Sequence, residues 1–586
     1  MEQAKRTGYP SIDKPWLQFY SEEAKNAPLP ACTIYAYLYR NNKEHADEIA
    51  LNYFDKKATF AQLFERIALA AKVYKRIGVC KGDIVTLCTV TTPEVVYSLY
   101  ALNLLGATVN MIDPRTHEDG IVQYLTETHT KVLLVISAAL PKISKLLNAT
   151  EVQTVITVSP AESMPLPVKL GYRMTKGRDE SQPDTDKRYI AWNRFLQAAE
   201  RDAGVSPAPY EKEAVAVIVH TGGTTGTPKG VMLSNDNINA IAHQYHYGLA
   251  PARRQRFLNI MPPFIAYGIV TGVHMPLCCG NVNIIIPSFD PTTFDKLVVK
   301  YRPNHFCGAP SHLHNLIQSK RMKHFDLSFL VSAGVGGDRM TAQNEEQINR
   351  LLAGHGSKYK VAKGYGMTES CSCSCSCLCK NEAVNKFGSV GVPLIGNVVS
   401  VFDPVTKQEL GYHTQGEICL SGPTVILGYY DNPEETAHVL QSHSDGRRWI
   451  HSGDIGYMDE DGVVFVIDRM KRMIIRPDGF KVYPSVIERV IAEHDQVEAC
   501  AVVGVPCAGF TQGMIPKAYV VLKKEAVGPP DATLAAIEDL CHNELAEYVW
   551  PREYVCIDQL PLTPIGKVDY RALERMGAED AASARA

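Results

Sequence analysis

Between residues 59 and 78 the apolar positions follow the spacing of one face of a helix. Thr59 and Gln62 together can form a capping box at the start, and Gly78 is suited to ending the segment. The apolar positions of this face are Phe60, Leu63, Phe64, Ile67, Ala70, Ala71 and Tyr74. Their spacing of three and four residues predicts an amphipathic helix packed on a core.

Short apolar runs alternate with such helical segments over the first 220 residues. The runs are Val85–Cys88, Val132–Ile136 and Val215–Val219, and each predicts a buried strand. Strands that alternate with helices indicate an α/β architecture.

The pattern changes twice towards the C-terminus. Residues 400–467 are rich in glycine and predict a small β-rich section. After Arg469 a separate α+β pattern begins, in which Pro484 can open a helix. The strands predicted on either side of Arg469 are Gly416–Ser421, Val463–Ile467, Cys500–Val503 and Ala518–Leu522.

These patterns predict a large N-terminal α/β domain with a β-rich subdomain, followed by a small C-terminal α+β domain. A chain of 586 residues is expected to divide into two or more domains. The predicted divisions are a lead-in at 1–30, an N-terminal domain at 31–469, a C-terminal domain at 470–575 and a frayed tail at 576–586. Residues 160–190, which are polar and carry several prolines, predict a surface excursion.

The composition and the lengths of the apolar runs argue against a nucleic-acid-binding protein and against a membrane-spanning one. The formal net charge is -3 and 21% of residues are charged, so no basic stripe is available for nucleic acid. No apolar run approaches the 18 residues of a membrane span, and no apolar segment follows the basic residues at the start. We therefore expect a cytoplasmic protein without a membrane span, in which the 16 cysteines are free thiols.

The segment HTGGTTGTPKGVMLSN, residues 220–235, directly follows a predicted strand. Glycines let backbone N–H groups approach a phosphate, threonines add hydroxyl donors, and Lys229 adds positive charge. The P-loop of nucleoside triphosphatases requires a different arrangement around its lysine, and here Pro228 and Gly230 flank Lys229. The residues predicted to bind the phosphates are Thr221, Gly222, Gly223, Thr224, Thr225, Gly226 and Lys229.

This loop resembles the phosphate loop of the adenylate-forming superfamily, which includes acyl-CoA synthetases, aryl-CoA ligases and adenylation domains. Six further segments resemble the family's motifs in the family's order, and the resemblance covers about residues 30–575. They are GYGMTES (364–370), GSVGVP (388–393), GEICLSGPTVILGYY (416–430), WIHSGDIGYMDEDG (449–462), DRMKRMIIRPDGFKVYPSVIE (468–488) and PLTPIGKVDYRAL (561–573). The resemblance implies the acyl-CoA synthetase fold with a mobile C-terminal domain.

The resemblance also implies the catalytic residues. Lys567 matches the family lysine that bridges the carboxylate and the α-phosphate of ATP. Glu369 matches the magnesium ligand and Thr368 a phosphate contact. Attack of one anion on another needs such positive charge and precise placement.

The resemblance also implies the residues that contact the nucleotide. Tyr365, between Gly364 and Gly366, resembles the aromatic residue that stacks on adenine. Asp454 resembles the acid that binds both ribose hydroxyls, and Arg469 would hold the ribose and phosphate side. The backbone implied to line the adenine is Gly334, Val335 and Gly336.

Members of the family rotate the small domain between two half-reactions. The pivot corresponds to Lys471 here, and the loop around Gly479 would face the site in the second state. A glycine at that point leaves room for a pantetheine arm.

The acid-binding segment departs from the family pattern. Phe264, Ala266 and Tyr267 are candidates for the acyl pocket, and Ile265 stands where relatives often carry a histidine. The segment has no acidic residue to pair with an α-ammonium group, so an ordinary amino acid is not an expected substrate. A fatty acid and an aryl acid both remain open.

Five cysteines alternate in CSCSCSCLC, residues 371–379, directly after Glu369. In a strand they would share one face. Three interpretations stay open: a pocket wall that includes Cys371 and Cys373, a low-complexity run without function, and a metal or redox site. Zinc sites favour paired C-x-x-C motifs, which the run lacks.

The sequence therefore predicts an AMP-forming acid–thiol ligase that uses ATP and Mg²⁺. It would convert a carboxylic acid to acyl-AMP and transfer the acyl group to coenzyme A. Transfer to the phosphopantetheine arm of a separate acyl carrier protein is the alternative. A non-catalytic relative would be expected to have lost Lys567 or Glu369, and both are present.

Overall fold

The computed structural model describes residues 6–175, 177, 186–198, 204–221, 229–378, 381–477, 481–506, 514–562 and 568–583. Within these ranges, no helix combines the length and the apolar character needed to cross a bilayer.

Two large sheets form the bulk of the chain up to residue 393, and the first also includes the later strand Gly428–Tyr429. The first has eight strands, in the order Gly428–Tyr429, Lys229–Ser234, Val215–Thr221, Thr108–Ile112, Ile84–Cys88, Val132–Ile136, Thr154–Val158 and Tyr189–Ala191. The second has nine, in the order Val392–Pro393, Cys375–Ser376, Ala362–Tyr365, Ser332–Val335, His305–Gly308, Arg256–Asn259, Val282–Ile285, Ile49–Tyr53 and Lys56–Thr59. Both sheets are parallel through the centre; the first is antiparallel at one end and the second at both ends.

Three smaller sheets follow. The β-rich section contains Val398–Phe402, Gly416–Ser421, Leu440–Ser442, Arg448–Met458 and Val464–Arg469. The C-terminal part contains the pair Ile474–Ile475 and Lys481–Val482, and a sheet of Val497–Pro506, Met514–Leu522 and Glu553–Cys556. The C-terminal sheet has its own apolar core, which includes Ile487, Val502 and Val520.

Helices cover the sheets. The α-helices are Pro10–Asp13, Glu22–Asn26, Ile34–Asn42, Phe60–Arg76, Pro93–Leu105, Glu118–Glu127, Leu140–Leu146, Leu166–Met174, Trp192–Gln197, Asn235–Gly248, Met275–Cys278, Phe294–Tyr301, Pro310–Gln318, Ala342–Gly354, Pro433–Val439, Pro484–Ala492, Pro530–Glu544 and Tyr570–Ser583. A π-helical segment spans Tyr267–His274. Short 3₁₀ turns lie at Pro15–Phe19, Lys43–His45, Ser137–Ala139, Leu147–Ala149, Pro291–Thr293, Met322–His324, Thr368–Ser370, Glu382–Val384, Met470–Arg472 and Glu547–Val549.

The periodic segments form the elements that their patterns predict. The helix Phe60–Arg76 begins with the capping box of Thr59 and Gln62, in which each side chain bonds the other residue's backbone N–H. Its apolar face is buried, and Gly78 follows with a positive φ of 94°. The runs predicted as strands are confirmed, and all five residues of Val132–Ile136 are buried.

Two terminal segments are more ordered than the sequence suggests. The tail expected to fray at 576–586 continues the helix that begins at Tyr570 as far as Ser583. Its alanines favour helix, and Asp580 forms an ion pair with Lys517 at 2.8 Å. The lead-in contains short helices, and its Trp16 is fully buried against the β-rich section.

The segment 388–391 provides a matched test of backbone packing. Gly388 and Gly391 have similar positive φ values, 74° and 82°. A Cβ atom on Gly388 would meet nothing within 4 Å, whereas one on Gly391 would lie 2.1 Å from the Ser376 carbonyl. Both alanine variants carry a left-handed strain of about 1 kcal/mol, and only Gly391→Ala adds a backbone clash.

We therefore expect Gly391→Ala to lower the thermal unfolding midpoint at least about 3 °C more than Gly388→Ala does. Scanning calorimetry of the two variants measures the difference. Equal midpoints would show that the strand Cys375–Ser376 yields to the added methyl group.

Candidate functional site

The two strands that flank the glycine-threonine loop pair side by side. Thr221, at the end of one strand, lies opposite Lys229, at the start of the next. Residues 222–228 therefore join neighbouring strand ends, and the predicted phosphate contacts Gly222, Gly223, Thr224, Thr225 and Gly226 lie outside the described residues. The Lys229 ammonium forms an ion pair with Glu435 and lies 5.2 Å from the centre of the Tyr429 ring.

Glu369 is buried in the turn Thr368–Ser370, beside a large cleft that Thr368 also lines. The Tyr429 hydroxyl donates a hydrogen bond of 2.6 Å to Glu369 Oε1. Burial raises the pKa of Tyr429, and the Glu369 charge raises it further, so the phenol remains a donor. Among described residues no group donates to the other Glu369 oxygen, which leaves it available to a hard cation such as Mg²⁺.

Tyr365, Asp454 and Arg469 meet in the same cleft. The Tyr365 hydroxyl donates to Asp454 Oδ2 at 2.7 Å, and Arg469 Nε lies 2.8 Å from Asp454 Oδ1. Burial raises the pKa of Asp454, while the positive charge of Arg469 opposes that rise. Each carboxylate oxygen can accept a further hydrogen bond, so the pair of oxygens can still receive two vicinal hydroxyls.

Backbone of two neighbouring strands also lines the cleft. Gly334 and Val335 belong to one strand and Gly364 to its neighbour, and Gly336 donates its N–H to the Gly308 carbonyl at 3.0 Å. A Cβ atom on Gly366 would lie 2.3 Å from the Ser372 carbonyl. Glycine at position 366 therefore lets the backbone of residues 372 and 373 pack against it.

The acid-binding candidates lie in the same cleft. Phe264, Ala266 and Tyr267 line it, and so does Cys373. Cys371 is fully buried and is not part of the lining, so the structure places it behind the wall that the sequence assigned to it.

The cysteine run is not a continuous strand. Cys371 and Ser372 both have positive φ, and the regular strand is limited to Cys375–Ser376. Cys371, Cys373, Cys375 and Cys377 are nonetheless all buried, and Cys379 lies outside the described residues. Burial raises the pKa of Cys373 to about 11, which keeps this thiol neutral at physiological pH.

A buried polar group that was not predicted lies on the strand next to Asp454. Glu417 accepts hydrogen bonds from His451 Nδ1 at 2.8 Å and from the Gly453 N–H at 3.1 Å. Burial alone would raise the pKa of Glu417, but the bond from His451 holds it below its usual value. With Cys419, these side chains form the one group of three potential metal ligands among the described residues.

The turn Met470–Arg472 connects the β-rich section to the C-terminal part. Lys471, the predicted hinge, lies in this turn. Arg472 was not predicted: it forms ion pairs with Asp468 and Glu488, and its guanidinium lies 3.8 Å from the centre of the Tyr570 ring. The adjacent Asp468 also accepts the Ser485 N–H at 2.8 Å, which fixes the start of the helix Pro484–Ala492.

Two predicted residues of the C-terminal part lie outside the described residues. They are Lys567 and Gly479. Leu562 and Val568, on either side of the segment that contains Lys567, form an antiparallel bridge and line the cleft.

Comparison with known proteins identifies the relationship. A model of the AMP-binding enzyme family matches residues 38–430, and a model of the C-terminal domain of AMP-binding enzymes matches residues 486–567. A long-chain-fatty-acid–CoA ligase of Bacillus subtilis is 29% identical, covering 96% of this chain and 97% of the relative. The 4-coumarate–CoA ligase-like 9 protein of Oryza sativa is also 29% identical, with 92% of each chain covered.

The fold agrees with solved structures. ATP-bound MatB of Rhodopseudomonas palustris superposes with a TM-score of 0.78 at 24% identity, covering 92% of this chain and 98% of that one.

His220, at the end of the strand that precedes the loop, provides a pH test. Its Nε2 lies 2.7 Å from Asn110 Oδ1, its ring stacks on Tyr124 at 3.8 Å, and its buried Nδ1 has no partner among the described residues. Burial lowers the pKa of His220 from 6.5 to about 4.

The His220 imidazole is therefore protonated below about pH 6.5 in the unfolded chain, but only below about pH 4 in the folded chain. This contribution to stability is full above pH 6.5 and is lost as the pH falls towards 4. We expect His220→Gln to reduce the loss of thermal midpoint between pH 7 and pH 5. The exposed His129 gives the control His129→Gln, and an unchanged slope for His220→Gln would contradict the burial argument.

Proposed function

Because the chain belongs to the AMP-binding enzyme family, we propose that it is an acid–thiol ligase that converts a fatty acid to acyl-AMP and then to acyl-CoA. The curated relatives above are CoA ligases that align over nearly their whole length.

One observation carries the proposal: a buried carboxylate with an available oxygen and a ribose-type acceptor line the same cleft. Glu369 provides the first group, and Asp454, bound by Tyr365 and Arg469, provides the second. Phe264 and Ala266 line the same cleft and give it apolar surface. A nucleotide and an apolar acid can therefore share the cleft.

In the first half-reaction the residues of the chain bind and orient two anions. Glu369 would hold Mg²⁺, which supplies charge neutralisation at the phosphates. Tyr429 orients the Glu369 carboxylate through its hydrogen bond, and Thr368 lies beside it in the same turn. Lys229 and Lys567 add positive charge near the phosphates, while Asp454 fixes the ribose.

No general base is required for this step. A fatty-acid carboxylate is already ionised at neutral pH, so it attacks the α-phosphorus directly and pyrophosphate leaves. The second half-reaction brings the thiol of coenzyme A to the acyl carbonyl, and AMP leaves. Rotation about Lys471, with Gly479 turned towards the site, is the proposed route for the pantetheine arm.

The lining of the cleft favours an apolar acid. Phe264 and Ala266 are buried, and the acid-binding segment offers no carboxylate to an α-ammonium group. The same cleft extends past Phe264 to Met164 and Val168, which gives an extended chain an apolar path. We therefore propose a fatty acid over a compact aryl acid.

Incubation with ATP, Mg²⁺, coenzyme A and a mixed panel of fatty and aryl acids, followed by mass spectrometry, tests the proposal. Fatty acyl-CoA as the main product is the expected result. Acyl-adenylate without acyl-CoA would move the acceptor to a carrier protein. Aryl-CoA as the main product would overturn the choice of acid, and absence of both adenylate and thioester would overturn the ligase.

Lys567→Ala separates the two half-reactions. We expect it to lower acyl-AMP formation from free acid at least about 100-fold, because it removes the charge between carboxylate and α-phosphate. Thioester formation from supplied acyl-AMP should fall far less. Pyrophosphate release and thioester formation are measured separately, with Lys524→Ala as a control at an exposed lysine of the same domain. Equal loss in both steps would contradict a role confined to adenylation.

A further inference from the structure

The helix Leu166–Met174 exposes an unusual set of apolar side chains. Leu166 is 69% exposed, Leu170 51% and Met174 74%. These residues follow one another at intervals of four, so they form one stripe along the outer face of the helix. Single exposed apolar residues are ordinary, but a continuous stripe of large ones indicates a contact surface.

The opposite face of this helix belongs to the cleft. Val168, Gly171 and Tyr172 line it, together with Met164 at the start of the segment. A Cβ atom on Gly171 would meet nothing within 4 Å, so open space lies directly beneath the helix. The outer stripe and the cleft are thus separated by the thickness of a single helix.

The cleft continues from this helix towards the acid-binding segment. Ala139 lines it on the way, and Arg115 stands over the Phe264 ring at 5.6 Å from its centre. Phe264 begins the wall that leads through Ala266 to Tyr267. One cleft therefore joins the surface helix to the acid-binding segment, with apolar lining interrupted by the cations Arg115 and Lys142.

The charges on the helix are of one sign. Lys169 and Arg173 lie beside the apolar stripe, and the helix carries no acidic residue. Glu162, which precedes it, accepts a hydrogen bond from Asn193. In the sequence Lys176 and Arg178 follow before an acidic stretch begins at Asp179, and these three lie outside the described residues.

We propose that the helix Leu166–Met174 rests on an anionic lipid bilayer. Leu166, Leu170 and Met174 would enter the boundary between headgroups and acyl chains, while Lys169 and Arg173 face lipid phosphates. An apolar stripe bordered by basic residues, on a helix too short to span a membrane, has the character of an interfacial helix. A fatty acid dissolved in the bilayer would then reach the cleft without crossing water.

The proposal rests on the proposed function for its purpose, but the contact itself can be measured without turnover. Flotation of the full chain is compared between vesicles of phosphatidylcholine alone and vesicles with roughly one third phosphatidylglycerol. We expect binding to the anionic vesicles and at least about 5-fold weaker binding to the neutral ones.

Substitution of the stripe tests its role. The variant Leu166→Gln, Leu170→Gln, Met174→Gln keeps good helix formers and should bind the anionic vesicles at least about 10-fold more weakly. The control Val405→Gln, Val527→Gln removes two apolar side chains that are each 80% exposed elsewhere, and should bind like the unmodified chain. Lys169→Gln with Arg173→Gln should remove most of the preference for anionic lipid.

Activity on a short, water-soluble fatty acid distinguishes this proposal from the ligase itself. The stripe variant should retain it, since none of its three residues lies in the cleft lining. Equal vesicle binding by the stripe variant and the unmodified chain would overturn the proposal. A second result would also overturn it: the unmodified chain does not bind vesicles but forms a dimer, and the stripe substitutions abolish that dimer. The face would then dock a second copy.

Discussion

The pairing of Asp454 with Arg469 sets the geometry on which the rest of the site depends. The two residues are register partners in neighbouring antiparallel strands, so the ladder itself brings carboxylate and guanidinium together. Asp454 is buried, whereas more than half of the Arg469 side chain is exposed. Burial therefore makes the Asp454 carboxylate costly to ionise without a partner. Arg469 and the Tyr365 hydroxyl reduce that cost, and a bound ribose would also reduce it.

The same ladder end controls the position of the C-terminal part. Arg469 is followed at once by the turn Met470–Arg472, and Asp468 anchors both Arg472 and the N–H of Ser485. On the neighbouring strand, Glu417 accepts hydrogen bonds from His451 and the Gly453 N–H. One antiparallel register thus positions the Asp454–Arg469 pair and, next to it, the contact with the C-terminal part.

Much of the fold followed from local pattern, because buried strands and amphipathic helices leave a periodic trace in the chain. The helix Phe60–Arg76 and its capping box are defined by residues no more than a few positions apart. The cysteine run shows the limit of such reasoning. Its alternation suggests one strand face, yet the close approach of Gly366 to the Ser372 carbonyl accompanies a left-handed backbone at Cys371 and Ser372. Tertiary packing overrides the local pattern there.

The residues that sequence analysis missed act through partners far away in the chain. Tyr429 reaches Glu369 across 60 positions, and Arg472 reaches Tyr570 across the whole C-terminal part. No spacing rule predicts such contacts, whereas the motifs proposed to bind substrate are short and contiguous. Motifs therefore pointed to the candidate ligand-binding groups, and the structure was needed for the groups that hold them.

The distribution of polarity along the cleft gives a physical reason for the acid to be oriented before its carboxylate reacts. Glu369, Asp454 and Arg469 bring charge to one part of the cleft, while Val168, Met164 and Phe264 offer apolar surface, with Arg115 over the Phe264 ring. An ionised fatty acid has the same two-part character, so it is best accommodated with its carboxylate at the border between the regions. Burial of the chain removes apolar surface from water, and the carboxylate regains polar contacts only at the nucleotide. The preference of the chain for apolar surface and of the carboxylate for polar contacts would thereby orient the acid before any residue acts on its reacting end.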